Sequence, residues 1–199
     1  MGPVMSVHAE ETSPTEFAPT ESYDRVLKAV HWSTLSLIVA IYIAIWVSHD
    51  AVTKEQQAVL MRLHRSLGVT VFALTLFRLG WRWHARIPSL PADLPAFQKL
   101  AARAIEYLLY ALLLVQPLFG ILGVNARGRR VDFFFLGELG ELPAIIGPDK
   151  ALAMQAITAH AFVAYLLLVV IALHAAAALF HHFVRRDDVL NGILLGQRR

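Results

Sequence analysis

The sequence predicts an all-α fold, an integral membrane four-helix bundle, and three observations lead there. Four apolar stretches are each long enough to cross the ~30 Å hydrocarbon core of a bilayer, which takes about 20 residues. Of 199 residues, 57% are hydrophobic and only 17% charged, where a soluble domain carries about 25% charged residues. What lies between the stretches is too short for a second domain and contains no internal repeat.

Taken in order, residues 1–22 (MGPVMSVHAEETSPTEFAPTES) come first. They are acidic, rich in Ser, Thr and Pro, and lack the apolar run of a signal peptide. The expectation is a disordered tail ahead of one four-span domain over 23–199. The first span is read at about 29–48 (AVHWSTLSLIVAIYIAIWVS) and the second at 66–83 (SLGVTVFALTLFRLGWRW). The third is 104–124 (AIEYLLYALLLVQPLFGILGV) and the fourth 157–180. Trp32, Trp46, Trp81 and Trp83 fall near span ends, as aromatic belts do.

The connections then follow. Residues 49–65 and 125–156 lie on one side and 84–103 on the other. The middle one begins ARIPSLPADLP, too proline-rich to be helical at its start. The last contains VDFFFLGELGELPAIIG, apolar yet interrupted by glycine, and is expected along the outer interface. With the N-terminus inside, eleven of the 18 Lys and Arg residues fall on the inner side and seven on the outer. That bias places both termini in the cytoplasm. The net charge of +3 is spread around the span ends, which suits anionic lipid headgroups and offers no basic face for nucleic acid. The absence of cysteine excludes disulfides, iron–sulfur ligation and covalent haem attachment.

The fourth span carries the chemistry. HAFVAYLLLVVIALHAAAALFHHF, residues 160–183, holds His160 and His174 within an apolar helix. Fourteen residues are close to four helical turns, so both rings share one face about 21 Å apart along the axis. His31 lies near the inner end of span one and His64 near the outer end of span two. Four histidines thus fall at two depths: His31 with His174 inside, His64 with His160 outside. Ala156, Ala159, Ala164, Ala175 to Ala178 and Gly68 surround these positions, and small residues leave room for something large and flat. Zinc would require three or four converging ligands, often including a carboxylate or thiolate. Two imidazoles per level and no carboxylate suit haem b instead, one haem at each level.

A histidine near a helix end is ordinarily interfacial or bonded to a neighbouring helix, and that reading covers His8, His84, His49 and His182. For His160 and His174 it is weaker, since ionisable groups inside a span are functional candidates by default.

YDRVLKAVHW at 23–32, LHRSLG at 63–68, the arginines of FRLGWRW, and above all the histidine-bearing fourth span resemble the bacterial cytochrome b561 family. The resemblance covers residues 22–199 and is loose through 131–150. It implies a four-helix bundle in the bacterial inner membrane with two b-type haems, whose ligands match His31, His64, His160 and His174. Some members are superoxide oxidases that pass electrons from superoxide outside to ubiquinone near the inner side. Others are electron-carrying membrane anchor subunits for dehydrogenases or hydrogenases, and both readings stay open. A histidine-lined metal or proton transporter is a third, and predicts no haem.

Further residues follow from the resemblance and from charge. Haem propionates are anionic, so Arg25 or Lys28 inside and Arg62 or Arg65 outside are candidate partners; lipid headgroups are the alternative. Arg127, Arg129 and Arg130 of NARGRR form a basic patch that either attracts a small anion such as superoxide or anchors the loop. His181, seven residues past His174 on the same face, is a candidate hydrogen-bond partner for a quinone headgroup. The partners implied are membrane lipid, ubiquinone, and superoxide or a redox protein.

Overall fold

The computed structural model describes residues 22–134, 136 and 140–194. The predicted disordered tail therefore lies outside the described residues, apart from Ser22. Four long helices dominate: α1 (Arg25–His49), α2 (Lys54–Arg82), α3 (Ala96–Asn125) and α4 (Lys150–Phe180). A π-helical turn, His181–Arg185, continues α4, and a short helix α5 (Val189–Ile193) follows.

Each long helix starts where the sequence supplies a cap. Asp24 accepts from the amides of Val26 and Leu27 at the start of α1. Thr53 and Gln56 form a reciprocal capping box on α2, and Asp149 accepts from Leu152 N on α4. Such caps satisfy amides that the helix itself leaves unpaired. All four helices are long and apolar enough to cross a membrane.

The helices outrun the spans read from hydropathy. α2 begins twelve residues before the apolar stretch, at Lys54, and α3 begins at Ala96, which shortens the middle connection. The physical reason is that KEQQAVLMRLHR and AFQKLAAR are good helix formers while being too polar for lipid. Hydropathy detects contact with hydrocarbon, and helix propensity continues beyond it.

The bundle runs up and down. Trp81 Nε1 at the end of α2 donates to Asp24 at the start of α1, and Gln57 Nε2 near the start of α2 donates to Ser48 O near the end of α1. Arg82 meets Glu106 near the start of α3 in a two-oxygen fork. That pairing resolves the cost of a carboxylate close to the apolar span. α1 packs along α2 and α3 along α4, while neither α1 nor α2 packs closely along α4. Leu112, Val163, Leu167 and Val170 form the buried apolar cluster between α3 and α4. Large apolar side chains such as Ile43, Phe162, Tyr165 and Leu173 stay exposed on the outside, as expected where lipid is the solvent.

Candidate functional site

The seam between the two helix pairs is crossed by histidines. His31 on α1 and His174 on α4 have ring centroids 6.3 Å apart with planes at 61°. His64 on α2 and His160 on α4 are 6.1 Å apart with planes at 74°. Metal–nitrogen bonds of about 2 Å on opposite sides of one metal atom put two imidazole centres roughly 6 Å apart. Both pairs match that spacing. Among the described residues, no three His, Asp or Glu side chains converge as a larger ligand set would require.

The seam has room beside the rings. His174 and Ala175 to Ala177 remain exposed along α4. A Cβ added to Gly68, one turn past His64, would meet nothing within 4 Å. Two imidazole pairs bordered by small side chains accommodate a flat macrocycle, so the residues present fit haem b at both levels.

The surroundings orient the rings. His160 Nδ1 lies 2.9 Å from Gln116 O and His64 Nδ1 lies 3.4 Å from Ile41 O. A main-chain acceptor keeps the ring proton on Nδ1 and leaves Nε2 free to ligate. Gln116 Nε2 approaches His160 Nε2 at 3.3 Å. Its Oε1 is buried without a partner, so the amide is not locked in place. The His160 ring rests against Gly120, where a Cβ would stand only 3.1 Å from it. The inner pair differs. Arg78 Nη1 is 3.0 Å from His31 Nδ1, and a guanidinium can only donate. With Nε2 given to a metal, the His31 proton would sit on Nδ1 and Arg78 would need another acceptor. Arg78 Nε and Tyr110 Oη are both buried without partners, with the guanidinium 5.7 Å above the Tyr110 ring.

Lys28 is buried and donates Nζ to Leu194 O at 3.0 Å, and Trp32 Nε1 donates to Ile193 O. Both therefore tether the C-terminal segment to α1. Arg25 is exposed. Arg62 and Arg65 both pair with Asp132 of the α3–α4 connection. Arg127, Arg129 and Arg130 are exposed, with Arg130 reaching Glu141 at 3.2 Å. The described residues of the apolar connection are fastened to α2 and to one another. Phe134 N donates to the buried Ser66 hydroxyl at 2.8 Å, and Leu142 N donates to Val131 O. Buried Asn125 closes it by donating to Arg129 O and accepting from Ile145 N. His49 and His84 are exposed at helix ends, and His182 lies in the π-helical turn. His181 Nδ1 is 2.6 Å from Asp187 Oδ2.

Sequence reasoning missed Arg78, Tyr110, Gln116 and Gly120. The only advance signal was polar or glycine residues within otherwise apolar helices.

Comparison with known proteins adds an independent line. A family model described as prokaryotic cytochrome b561 matches residues 22–196. Cytochrome b561 homolog 1 of Escherichia coli (strain K12) is 31% identical over 178 residues, covering 87% of this chain and 94% of that protein. Cytochrome b562 of Cereibacter sphaeroides is 30% identical over 176 residues, 84% of this chain and 92% of its own. A probable superoxide oxidase CybB of Yersinia pestis is 26% identical over 171 residues, 85% of this chain and 94% of its own.

Proposed function

The chain belongs to the prokaryotic cytochrome b561 family, membrane electron-transfer proteins that bind haem b, and from that premise we propose that it is a di-haem superoxide:ubiquinone oxidoreductase. His31 and His174 hold one haem at the inner level, and His64 and His160 hold the other at the outer level. The single observation that carries this reading is the two imidazole pairs, 6.1 and 6.3 Å apart, spanning one seam. Each haem supplies a one-electron carrier, and together they divide a distance that an electron cannot cross unaided through ~30 Å of hydrocarbon.

The chain's own residues do the rest. Main-chain carbonyls of Ile41 and Gln116 fix the outer imidazoles with Nε2 directed to ligation. An iron held by two imidazoles would have no open position, which would favour outer-sphere electron transfer over oxygen binding. Arg78 and Tyr110, with unpaired buried donors beside the inner pair, hold a propionate there. On the outer side Arg62 and Arg65 are engaged by Asp132. Arg127 and Arg129 are accordingly the cations that steer superoxide. On the inner side His181 contacts the ubiquinone headgroup. Sequence similarity to a probable superoxide oxidase supports the choice of donor.

Stopped-flow mixing of the oxidised protein with superoxide, with and without ubiquinone, tests this. The expected result is rapid haem reduction that ubiquinone reverses. The second-order rate should fall with added salt, because screening limits the reach of surface charges to about 8 Å at physiological ionic strength. Replacing Arg127, Arg129 and Arg130 by Gln should slow the reduction. If superoxide dismutates before the haems are reduced, the oxidase reading fails and the anchor-subunit reading replaces it.

A further inference from the structure

The end of the chain closes back on the opposite helix pair. Past Phe180 it runs through the π-helical turn His181–Arg185, reverses at Arg186, which takes a left-handed conformation (φ 58°), and enters α5. Non-glycine residues seldom adopt positive φ, so the reversal has a conformational cost that later contacts must offset. Those contacts come from α1 and the residues leading into it.

A helix leaves its last carbonyls without partners of its own. At the end of α5, successive carbonyls find them outside the helix. Gly192 O accepts from Tyr23 N at 3.1 Å and from the Ser22 hydroxyl at 3.4 Å. Ile193 O accepts from Trp32 Nε1 at 3.0 Å, and Leu194 O accepts from Lys28 Nζ at 3.0 Å. Lys28 and Trp32 are one helical turn apart, so a single face of α1 presents both donors. Gly192 and Lys28 are buried in this contact. A cation at a helix C-terminus is also favoured by the carbonyl dipoles there.

Trp32 links this contact to the inner histidine pair. Its ring meets the His31 ring edge-on, with centroids 5.5 Å apart and planes at 85°. His31 in turn faces His174 across a seam where α1 and α4 do not pack closely. Helix packing therefore sets the angle between the two inner imidazoles only loosely. The outer rings are oriented by main-chain acceptors, Ile41 O and Gln116 O. His31 Nδ1 instead faces the Arg78 guanidinium, which cannot accept. A packing contact is left to orient the His31 ring, and the indole supplies it.

We propose that residues 189–194 are a clasp that orients His31 through Trp32, with Trp32 the positioning residue of the inner imidazole pair. The proposal rests on His31 and His174 being the ligands of the inner haem. Ile193 O fixes the indole, the indole fixes the His31 ring, and Lys28 holds the carbonyl end of α5 beside them. The two pairs thus differ in kind. The outer rings are oriented from within the bundle, and the inner pair depends on the C-terminal segment. Partners of this sort behind a ligating histidine set its ring orientation and basicity.

The test is electron paramagnetic resonance of the oxidised, haem-loaded protein, because the low-spin g values of an iron between two imidazoles vary with the angle between the ring planes. The full chain is compared with a chain ending at Leu194, a chain ending at Asp188, and Trp32→Phe, which keeps an aromatic ring and loses the N–H. The inner component is identified as the one that His174→Ala removes. It should shift both in the chain ending at Asp188 and in Trp32→Phe, with the outer component unchanged. The chain ending at Leu194 keeps every carbonyl of the clasp and should match the full chain. Adding Trp32→Phe to the chain ending at Asp188 should give no further shift, since both changes remove the same hydrogen bond. An inner component unmoved by the loss of residues 189–199, one already shifted in the chain ending at Leu194, or equal shifts of both components overturn the clasp while leaving the haem assignment intact. A full chain with no component that His174→Ala removes overturns both. If the chain ending at Asp188 loads no haem, Trp32→Phe decides alone, and an inner signal identical to that of the wild type refutes the proposal.

Discussion

The Tyr42 hydroxyl on α1 donates to the main-chain oxygen of Ala164 on α4 at 2.6 Å. It crosses the same seam as the histidines, at a depth between the two pairs, where α1 and α4 otherwise do not pack closely. Tyr42→Phe removes the bond and keeps the ring. Interhelical hydrogen bonds in membranes are worth about 0.6 kcal/mol on average. The expected outcome is a slightly lower melting temperature in detergent with both haems retained, read by thermal unfolding followed at the Soret band.

The two pairs predict two phenotypes. His31→Ala and His174→Ala should lose the same haem, and His64→Ala and His160→Ala the other. Low-temperature spectra with redox titration distinguish the components. Loss of one common component in His31→Ala and His64→Ala would refute the pairing.

Gly120 and Gly123 give a contrast on one helix. A Cβ at Gly120 would stand 3.1 and 3.2 Å from atoms of the His160 ring, whereas at Gly123 it would meet the end of the Ile157 side chain. The Gly123 contact falls on an aliphatic side chain that takes no part in the histidine pairs, while the His160 ring is held by Gln116 O. Gly120→Ala should therefore perturb the spectrum or occupancy of the outer haem alone, and Gly123→Ala should leave both spectra unchanged. Measured absorption and electron paramagnetic resonance spectra check this.

The histidine pairs were legible in the sequence because a 14-residue interval has only one meaning on a helix. Their neighbours were not. Gln116 and Gly120 carried no such signal, since nothing in periodicity tells which helix a polar group will face. Arg78 reads as a cation at a span end, yet it reaches His31 across 47 positions. The Asp132 pairing with Arg62 and Arg65 depends on a connection whose apolar composition gave no sign that it folds onto α2. His181 and Asp187 are six apart, a spacing that a regular helix does not bring together. Only the π turn and the left-handed Arg186 make the contact.

Asp24 adds a pH dependence at the opposite side of the same end. The hydrogen bond from Trp81 Nε1, supported by the amides of Val26 and Leu27 and opposed by burial, holds its carboxyl below the usual carboxylate range. A depressed folded-state value means the stabilisation is present above the unfolded value of about 3.9 and is lost as pH falls through the folded one. Trp81→Phe should thus melt below the wild type at pH 7, and the gap should close under more acidic conditions. A gap that is constant with pH would place the effect in packing of the indole instead.

The central claim is that each histidine pair holds one haem b. A pyridine haemochrome assay on purified protein of known concentration measures it directly. The account predicts two haem b per chain, both extracted by acidic acetone because no cysteine is present to form a thioether. One haem per chain, or none, would contradict it.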